Sequence, residues 1–242
     1  MDFDLNGPAK HVSIIIPTYN ERENIAPLIE ALGRTLQDQS HEIIVVDDSS
    51  PDGTFDAVQQ VSAGNPRVKA IQRPGKLGLA SAVMEGFRAS TGAAIVMMDA
   101  DFSHRPQDLP RLLIAASDAD IVIGSRYVPG GGIVGWSPLR HLASRVAIWS
   151  SKLILGLKMS DTSSGFAVFK RSVLENAAPH LRPAGFKLLL EVLALSPQAR
   201  VVEVPITFAN RRAGKSKFGS GEVITFFRLC LDLRKRRRAL PR

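Results

Sequence analysis

Cysteine is almost absent from this chain of 242 residues. Cys230 stands alone, which excludes an internal disulfide framework and any zinc site built on several thiolates. Long apolar runs are missing too: no stretch reaches 18 uninterrupted apolar residues, so the sequence offers no segment expected to span a bilayer. The N-terminus carries Asp2 and Asp4 and no apolar core, unlike a secretory signal. Neither a Rossmann glycine fingerprint after the first apolar run nor a Walker phosphate loop occurs. If the chain binds a nucleotide, its phosphates must be held by side chains and a metal. Internal repeats and low-complexity tracts are also lacking.

What is present is enough apolar residue, 45% of the chain, to bury one sizeable core. Charge is unevenly spread. Residues 1–210 are close to neutral at −1, whereas residues 211–242 hold eleven Lys or Arg against Glu222 and Asp232, a net +9. A basic tail on a near-neutral body points to an anionic surface, either lipid headgroups or nucleic acid. Residues 234–238 read Arg-Lys-Arg-Arg-Arg with no aromatic interleaved, which argues against nucleic acid as a partner.

Short apolar runs recur at regular spacing. Residues 11–17, 42–46, 68–72, 93–98 and 120–125 read as strands with helices between them, and the unalternating run 93–98 reads as buried on both faces. The order β-α-β-α-β-α-β-α-β predicts an α/β doubly wound, mostly parallel sheet with helices on both faces. Residues 127–136 are glycine-rich and read as a mobile loop. Over 137–158, Leu139, Leu142, Val146, Trp149, Leu153 and Leu157 recur at helical spacing with Arg140, Arg145, Lys152 and Lys158 around them. Such a helix either packs on the domain or lies in a membrane interface. A polar turn and short strand (161–170), a helix (186–195), a strand (200–208), a basic loop (210–218) and an amphipathic basic helix follow. The expected division is one main domain over 1–220 and a basic tail over 221–242.

Open α/β sheets bind ligands beyond the carboxyl ends of their strands. That edge should collect Tyr19, Glu21, Asp48, Lys76, Asp99, Asp101 and Arg126. Asp99-Ala100-Asp101 matters most, because two carboxylates one residue apart at a strand end repel each other unless a cation holds them. A divalent metal carrying a diphosphate satisfies that need, although Asp also commonly closes strands and caps turns.

Pro17-Thr18-Tyr19-Asn20-Glu21, Val46-Asp47-Asp48-Ser49-Ser50-Pro51-Asp52-Gly53-Thr54, Asp99-Ala100-Asp101-Phe102-Ser103-His104, Gly124-Ser125-Arg126-Tyr127, and Asn210-Arg211 with Gly214-Lys215-Ser216-Lys217 together resemble family-2 glycosyltransferases of the GT-A fold. More narrowly, they resemble the polyprenyl-phosphate (dolichyl-phosphate) mannose synthases, over about residues 11–220. The resemblance implies that Pro17, Tyr19, Glu21, Val46 and Asp48 cradle the guanosine of GDP-mannose. It implies that Asp99, Ala100 and Asp101 form the metal-diphosphate motif. Arg126, Arg211 and Lys217 match positions around the donor and acceptor phosphates, with Arg140 a further candidate for the acceptor phosphate. Where some members have a metal-binding glutamine this chain has Ser103, so water would complete the shell of Mg²⁺ or Mn²⁺. The implied reaction is inverting transfer of mannose to a polyprenyl phosphate without a general base, catalysed by Asp101, Arg126, Arg211 and Lys217. The implied place is the cytoplasmic face of a membrane, with the lipid surface as partner and a membrane-anchoring partner subunit left open. The alternative is transfer of glucose or another sugar on the same fold.

Overall fold

The computed structural model describes residues 11–182, 187–209 and 220–239. The expected Arg211 and Lys217, with the rest of the 210–218 loop, lie outside the described residues. In chain order the elements are β1 (Val12–Thr18), α1 (Arg22–Thr35), β2 (His41–Asp47), α2 (Thr54–Gly64), β3 (Val68–Gln72), α3 (Leu79–Ala89) and β4 (Ala94–Met97). A 3₁₀ turn, Pro106–Asp108, then leads into α4 (Leu109–Ala115) and β5 (Ile121–Ser125). The second half contributes β6 (Gly132–Ile133), α5 (Pro138–Leu155), β7 (Ala167–Lys170), α6 (Arg171–Ala177), α7 (Leu188–Leu195), β8 (Val201–Pro205), β9 (Thr207–Phe208) and α8 (Ser220–Ala239).

Seven strands form one sheet in the order β3-β2-β1-β4-β7-β5-β8. All its pairings are parallel except those of β7, which runs antiparallel between β4 and β5. The strands alternate between two cores because their faces are both covered. Ile15, Ile44, Ile95 and Phe169 pack toward α3, α6, α7 and α8, whereas Ile14, Ile43, Val96 and Val168 pack toward α1, α2 and α4. The mostly parallel, doubly wound reading of the sequence therefore holds, with one antiparallel strand inserted.

Three boundaries differ from expectation. The 127–136 segment is not wholly a loop, because β6 pairs with β9 in a second, two-stranded sheet. The strand expected over 200–208 is split between the two sheets at Ile206, whose side chain is buried. The 137–158 helix ends at Leu155, where Gly156 adopts the left-handed conformation (φ 65°) that closes helices. Leu157 then turns inward to 8% exposure and leaves the outer stripe.

Packing also gives no boundary at residue 220. In α8, Phe226, Cys230 and Leu233 are buried in the same core as α7 and the end of α5. Burial raises the Cys230 thiol to about 11, so this cysteine is a core residue rather than a reactive one. Arg237 donates to the carbonyl of Leu155, the last residue of α5, and Arg236 pairs with Asp232 (2.8 Å) and with the fully buried Glu191 of α7 (3.3 Å). Two of the five cations expected to face a surface thus tie α8 inward.

An ionic anchor sits at the amino end of the sheet. Glu42 Oε1 accepts from Ser13 Oγ (2.7 Å) and from the N–H (2.6 Å) and Oγ1 (2.8 Å) of Thr91, while Lys69 Nζ lies 2.7 Å from Oε2. Burial alone would raise this carboxyl, but the Lys69, Ser13 and Thr91 bonds hold it down to about 2. Its contribution is complete above the ordinary Glu range and is lost as pH falls from there toward about 2. Stability is expected to drop by about 2 kcal/mol across that window, after discounting for the solvated Lys69. Urea unfolding at stepped pH measures it, and Glu42→Gln should flatten that part of the profile.

Candidate active site

Backbone strain marks one edge of the sheet. Asn20 (φ 62°), Ser49 (φ 51°) and Phe102 (φ 58°) all lie in the left-handed region, each a few residues beyond the carboxyl end of β1, β2 or β4. Non-glycine residues stay in that region only when their neighbours fix them, and such positions cluster at functional edges. The fixing bonds are visible. Asn20 N–H donates to Ser50 Oγ (2.9 Å), Glu21 N–H to Thr54 Oγ1 (2.9 Å), and Thr18 Oγ1 to Asp47 Oδ1 (2.9 Å). The loops after β1 and β2 are therefore one stitched unit.

The residues expected to cradle a nucleoside lie on that unit or at the ends of the two strands that lead into it. Pro17 and Val46 are register partners in β1 and β2. Glu21 precedes α1 and accepts from Asn24 Nδ2 at 2.7 Å. Lys76 Nζ lies 4.3 Å from the centre of the Tyr19 ring, joining the loop after β3 to that after β1. The side chains of Val46 and Ala100 are buried in the core, so a ligand would meet only their backbone.

Asp48 has a role that its loop position did not reveal. Its carboxylate accepts from Arg73 Nε (2.6 Å) and from the backbone N–H groups of Leu77 (3.1 Å) and Gly78 (3.3 Å). Arg73, itself 2% exposed, also donates to Ser81 Oγ (2.6 Å) and to the Gly78 carbonyl (2.9 Å). A buried arginine of this kind must be paired. Asp48 and Arg73 thus set the turn that carries Lys76, and nothing in the sequence distinguishes Arg73 from the rest of that polar turn.

Asp99, Ala100, Asp101 and Ser103 follow β4, at the centre of the edge. Asp99 helps line a cavity of about 100 Å³ together with Leu79, Met97, Gly165, Lys187 and Leu188. His104, fully buried between the rings of Phe166 (5.3 Å) and Phe208 (5.0 Å), places Nε2 3.3 Å from Asp99 Oδ2. Asp101 is nearly buried, and its Oδ1 accepts the Ser103 N–H at 3.0 Å. A Cβ at Gly165 would overlap the Asp99 carboxylate. Gly165→Ala is therefore expected to displace Asp99 and cut turnover about 100-fold, with little change in melting temperature. Steady-state kinetics beside a thermal melt checks this.

The donor set fits a divalent cation shared with a ligand. Ser103 Oγ is buried close to Asp101 and has no hydrogen-bond partner among the described residues, an orphaned polar atom of the kind a bound polar group would satisfy. Among the described residues no group of three or more His, Cys, Asp or Glu is arranged to hold an ion by itself. An ion held by one or two carboxylates would take its remaining ligands from phosphate oxygens and water, as Mg²⁺ commonly does.

Arg126, delivered by β5, is buried and pairs in a fork with Asp161, Nε to Oδ2 at 2.7 Å and Nη2 to Oδ1 at 2.8 Å. Its Nη2 also reaches Ser163 Oγ at 2.8 Å. Burial would raise Asp161, but the Arg126 bonds hold it well below the usual carboxylate range. Asp161 is held in turn by the backbone, since its N–H and that of Ser160 donate to Glu203 (2.9 and 2.7 Å). In the sequence nothing distinguishes Asp161 from the rest of the polar turn Asp-Thr-Ser-Ser-Gly that it opens. Its position beside a strand-end arginine appears only through the antiparallel β7. The rings of Tyr127, Trp136 and Phe208 surround the Arg126 guanidinium at 5.4–5.5 Å. Arg140, in the first turn of α5, stacks over Trp136 at 4.0 Å.

The sequence profile described as Glycosyl transferase family 2 matches residues 13–177. A dolichol-phosphate mannosyltransferase of Pyrococcus furiosus is 42% identical over 227 residues, 93% of this chain and 64% of that protein. The chain therefore spans somewhat less than two thirds of that relative's length. A polyprenol monophosphomannose synthase of Mycolicibacterium smegmatis is 40% identical, over 89% of this chain and 84% of that one. An undecaprenyl-phosphate mannosyltransferase of Micrococcus luteus is 41% identical, over 88% and 89%. Among solved structures, glucosyl-3-phosphoglycerate synthase of Mycobacterium tuberculosis, in complex with Mn²⁺, UDP and glucosyl-3-phosphoglycerate, superposes with a TM-score of 0.67 at 18% identity, covering 96% of this chain and 81% of that one. That likeness speaks to the fold, whereas the profile and the 40–42% relatives place the sequence itself. The chain belongs to glycosyl transferase family 2 and is a glycosyltransferase with a GT-A-like fold.

Proposed function

We propose that this enzyme transfers mannose from GDP-mannose to a polyprenyl phosphate held at a membrane surface, with inversion at the anomeric carbon. The observation that carries this reading is where the cationic cluster stands relative to α5. Arg126 and Arg140 meet at Trp136, at the amino end of a helix whose Leu139 (75%), Trp149 (65%) and Leu153 (69%) are exposed. A phosphate site at the head of an exposed apolar stripe suits a ligand with an anionic head and a long apolar tail. Relatives named as polyprenol and dolichol-phosphate mannosyltransferases support both the sugar and the acceptor.

In this reading Pro17, Tyr19, Glu21, Val46 and Asp48 hold the guanosine, and Asp99, Asp101 and Ser103 hold Mg²⁺ or Mn²⁺ with the diphosphate. When bound, that ion neutralises the departing diphosphate. Arg126 and Arg140, with Arg211 and Lys217 from the segment outside the described residues, offset the repulsion between two anionic substrates. An acceptor phosphate oxygen forms the new bond to the anomeric carbon as the bond to GDP breaks. The acceptor is already anionic and has no proton to remove, so no general base is needed.

The enzyme would work as a peripheral protein on the cytoplasmic face of a membrane. Among the described residues no helix is long and apolar enough to cross one. Attachment would rest on the α5 stripe, on Phe227 and Leu231 of the neighbouring α8, and on surrounding Lys and Arg. Removing residues 228–242 is a poor test, because it deletes the buried Cys230 and Leu233. Leu142→Glu with Trp149→Glu changes only exposed side chains. This pair is expected to weaken binding to anionic vesicles at least tenfold in a flotation assay while leaving the melting temperature unchanged.

The reaction itself is tested by incubating the protein with labelled nucleotide sugars, a short polyprenyl phosphate and Mg²⁺, then extracting into organic solvent. Label from GDP-mannose should partition into the organic phase. Transfer from UDP-glucose or another donor instead would replace the proposed sugar.

A further inference from the structure

We propose that Trp136 is a positioning residue for the acceptor phosphate, holding the Arg126 and Arg140 guanidiniums together on one anion. This deepens the function proposed above and rests on it. The two cations come from different elements, one at the end of β5 and one in the first turn of α5. Asp161 pairs with Arg126 at 2.7 Å, and the approach of a second cation to that pair needs a further attractive partner. The indole supplies it. Arg140 Cζ lies 4.0 Å and Arg126 Cζ 5.5 Å from its ring centre, both within the range of cation–π attraction.

The ring is itself fixed. Phe208 of β9 packs T-shaped against it at 5.5 Å and His141 stands at 5.6 Å. The β6–β9 pairing, extended by the Val134 N–H donating to the Phe208 carbonyl (2.8 Å), anchors the strand that leads into it. Ser137 then caps α5, its Oγ accepting the Arg140 N–H at 3.3 Å. Trp136 thus sits between a fixed minor sheet and a helix start.

A second observation separates this residue from a packing role. Trp136 Nε1 is buried and has no protein partner, and a buried indole N–H normally finds an acceptor. Beside two arginines, a phosphate oxygen is the acceptor that the surroundings favour. Asp161 constrains the other side of the arrangement by taking Arg126 Nε and Nη2. The indole therefore assembles a phosphate subsite whose charge comes from elsewhere.

Trp136 and Trp149 are the two tryptophans of the chain, so Trp149→Phe leaves Trp136 as the sole tryptophan, read by excitation near the red edge of indole absorption, where tyrosine does not absorb. In that protein, titration with a short polyprenyl phosphate should shift or quench the emission, and the change should be lost with Arg140→Ala added. In transfer assays Trp136→Leu should raise the KM for the polyprenyl phosphate about 10- to 100-fold, with the KM for GDP-mannose unchanged. Trp136→Phe keeps the ring and removes the N–H, and should fall between the two. Unaltered emission on saturation with acceptor, or equal rises in both KM values, would overturn the positioning role while leaving transfer by the wild type intact. Absence of any transfer by the wild type would overturn the proposed function and this inference with it.

Discussion

Alanine at Asp101 is expected to lower turnover by about 100- to 1000-fold or more, the scale set by losing one electrostatic partner of the departing group. Asp101 follows β4 at 4% exposure, and its Oδ1 already accepts the Ser103 N–H. Asp101→Asn keeps an acceptor for that N–H and removes only the charge. If the carboxylate's role is to hold a cation against a diphosphate, Asn and Ala should fall together. Arg211→Ala is expected to lose activity on the same scale, given its implied place beside the phosphates. Steady-state transfer by purified proteins decides the matter. Near-normal activity of either Asp101 variant would reject the metal role.

The second large effect falls on stability as much as on chemistry. Asp161 is fully buried and forms the fork that holds Arg126, so Asp161→Ala strands a buried guanidinium. Breaking one partner of such a pair costs about 3–5 kcal/mol, on the order of 10 °C in melting temperature for a chain of this size. A freed Arg126 would also swing from the Trp136 and Phe208 rings. We expect a destabilised enzyme whose KM for acceptor rises more than that for donor, read from thermal melts and two-substrate kinetics. The double variant Asp161→Leu with Arg126→Met removes both charges and should recover stability but not activity. Unchanged stability of Asp161→Ala would show that the fork carries no net structural weight.

Both residues show what the sequence made legible. The strands β1, β2, β4 and β5 are short apolar runs buried on both faces, so their carboxyl ends, and with them Tyr19, Asp48, Asp99, Asp101 and Arg126, could be aligned on one edge from periodicity alone. The partners of those residues could not. Arg73 and Asp161 sit in polar turns that look solvated, and only the folded chain brings Arg73 under Asp48 and Asp161 under Arg126. The antiparallel β7 was hidden for a related reason. Four residues, Ala167–Lys170, carry no directional signal, and their neighbours in the sheet are remote in sequence. Composition was a poor guide to α8, where Arg236 and Arg237 look like surface charge but are spent on Asp232, Glu191 and a helix-end carbonyl.

One measurement bears most directly on the claim that Asp99 and Asp101 hold a diphosphate through a cation. GDP binding by titration calorimetry, with Mg²⁺ or Mn²⁺ and then with a chelator, compares the wild type with Asp101→Asn. Wild-type affinity should fall at least tenfold when the ion is removed, and Asp101→Asn should bind GDP weakly and indifferently to metal. Equal affinity with and without metal in the wild type would contradict it.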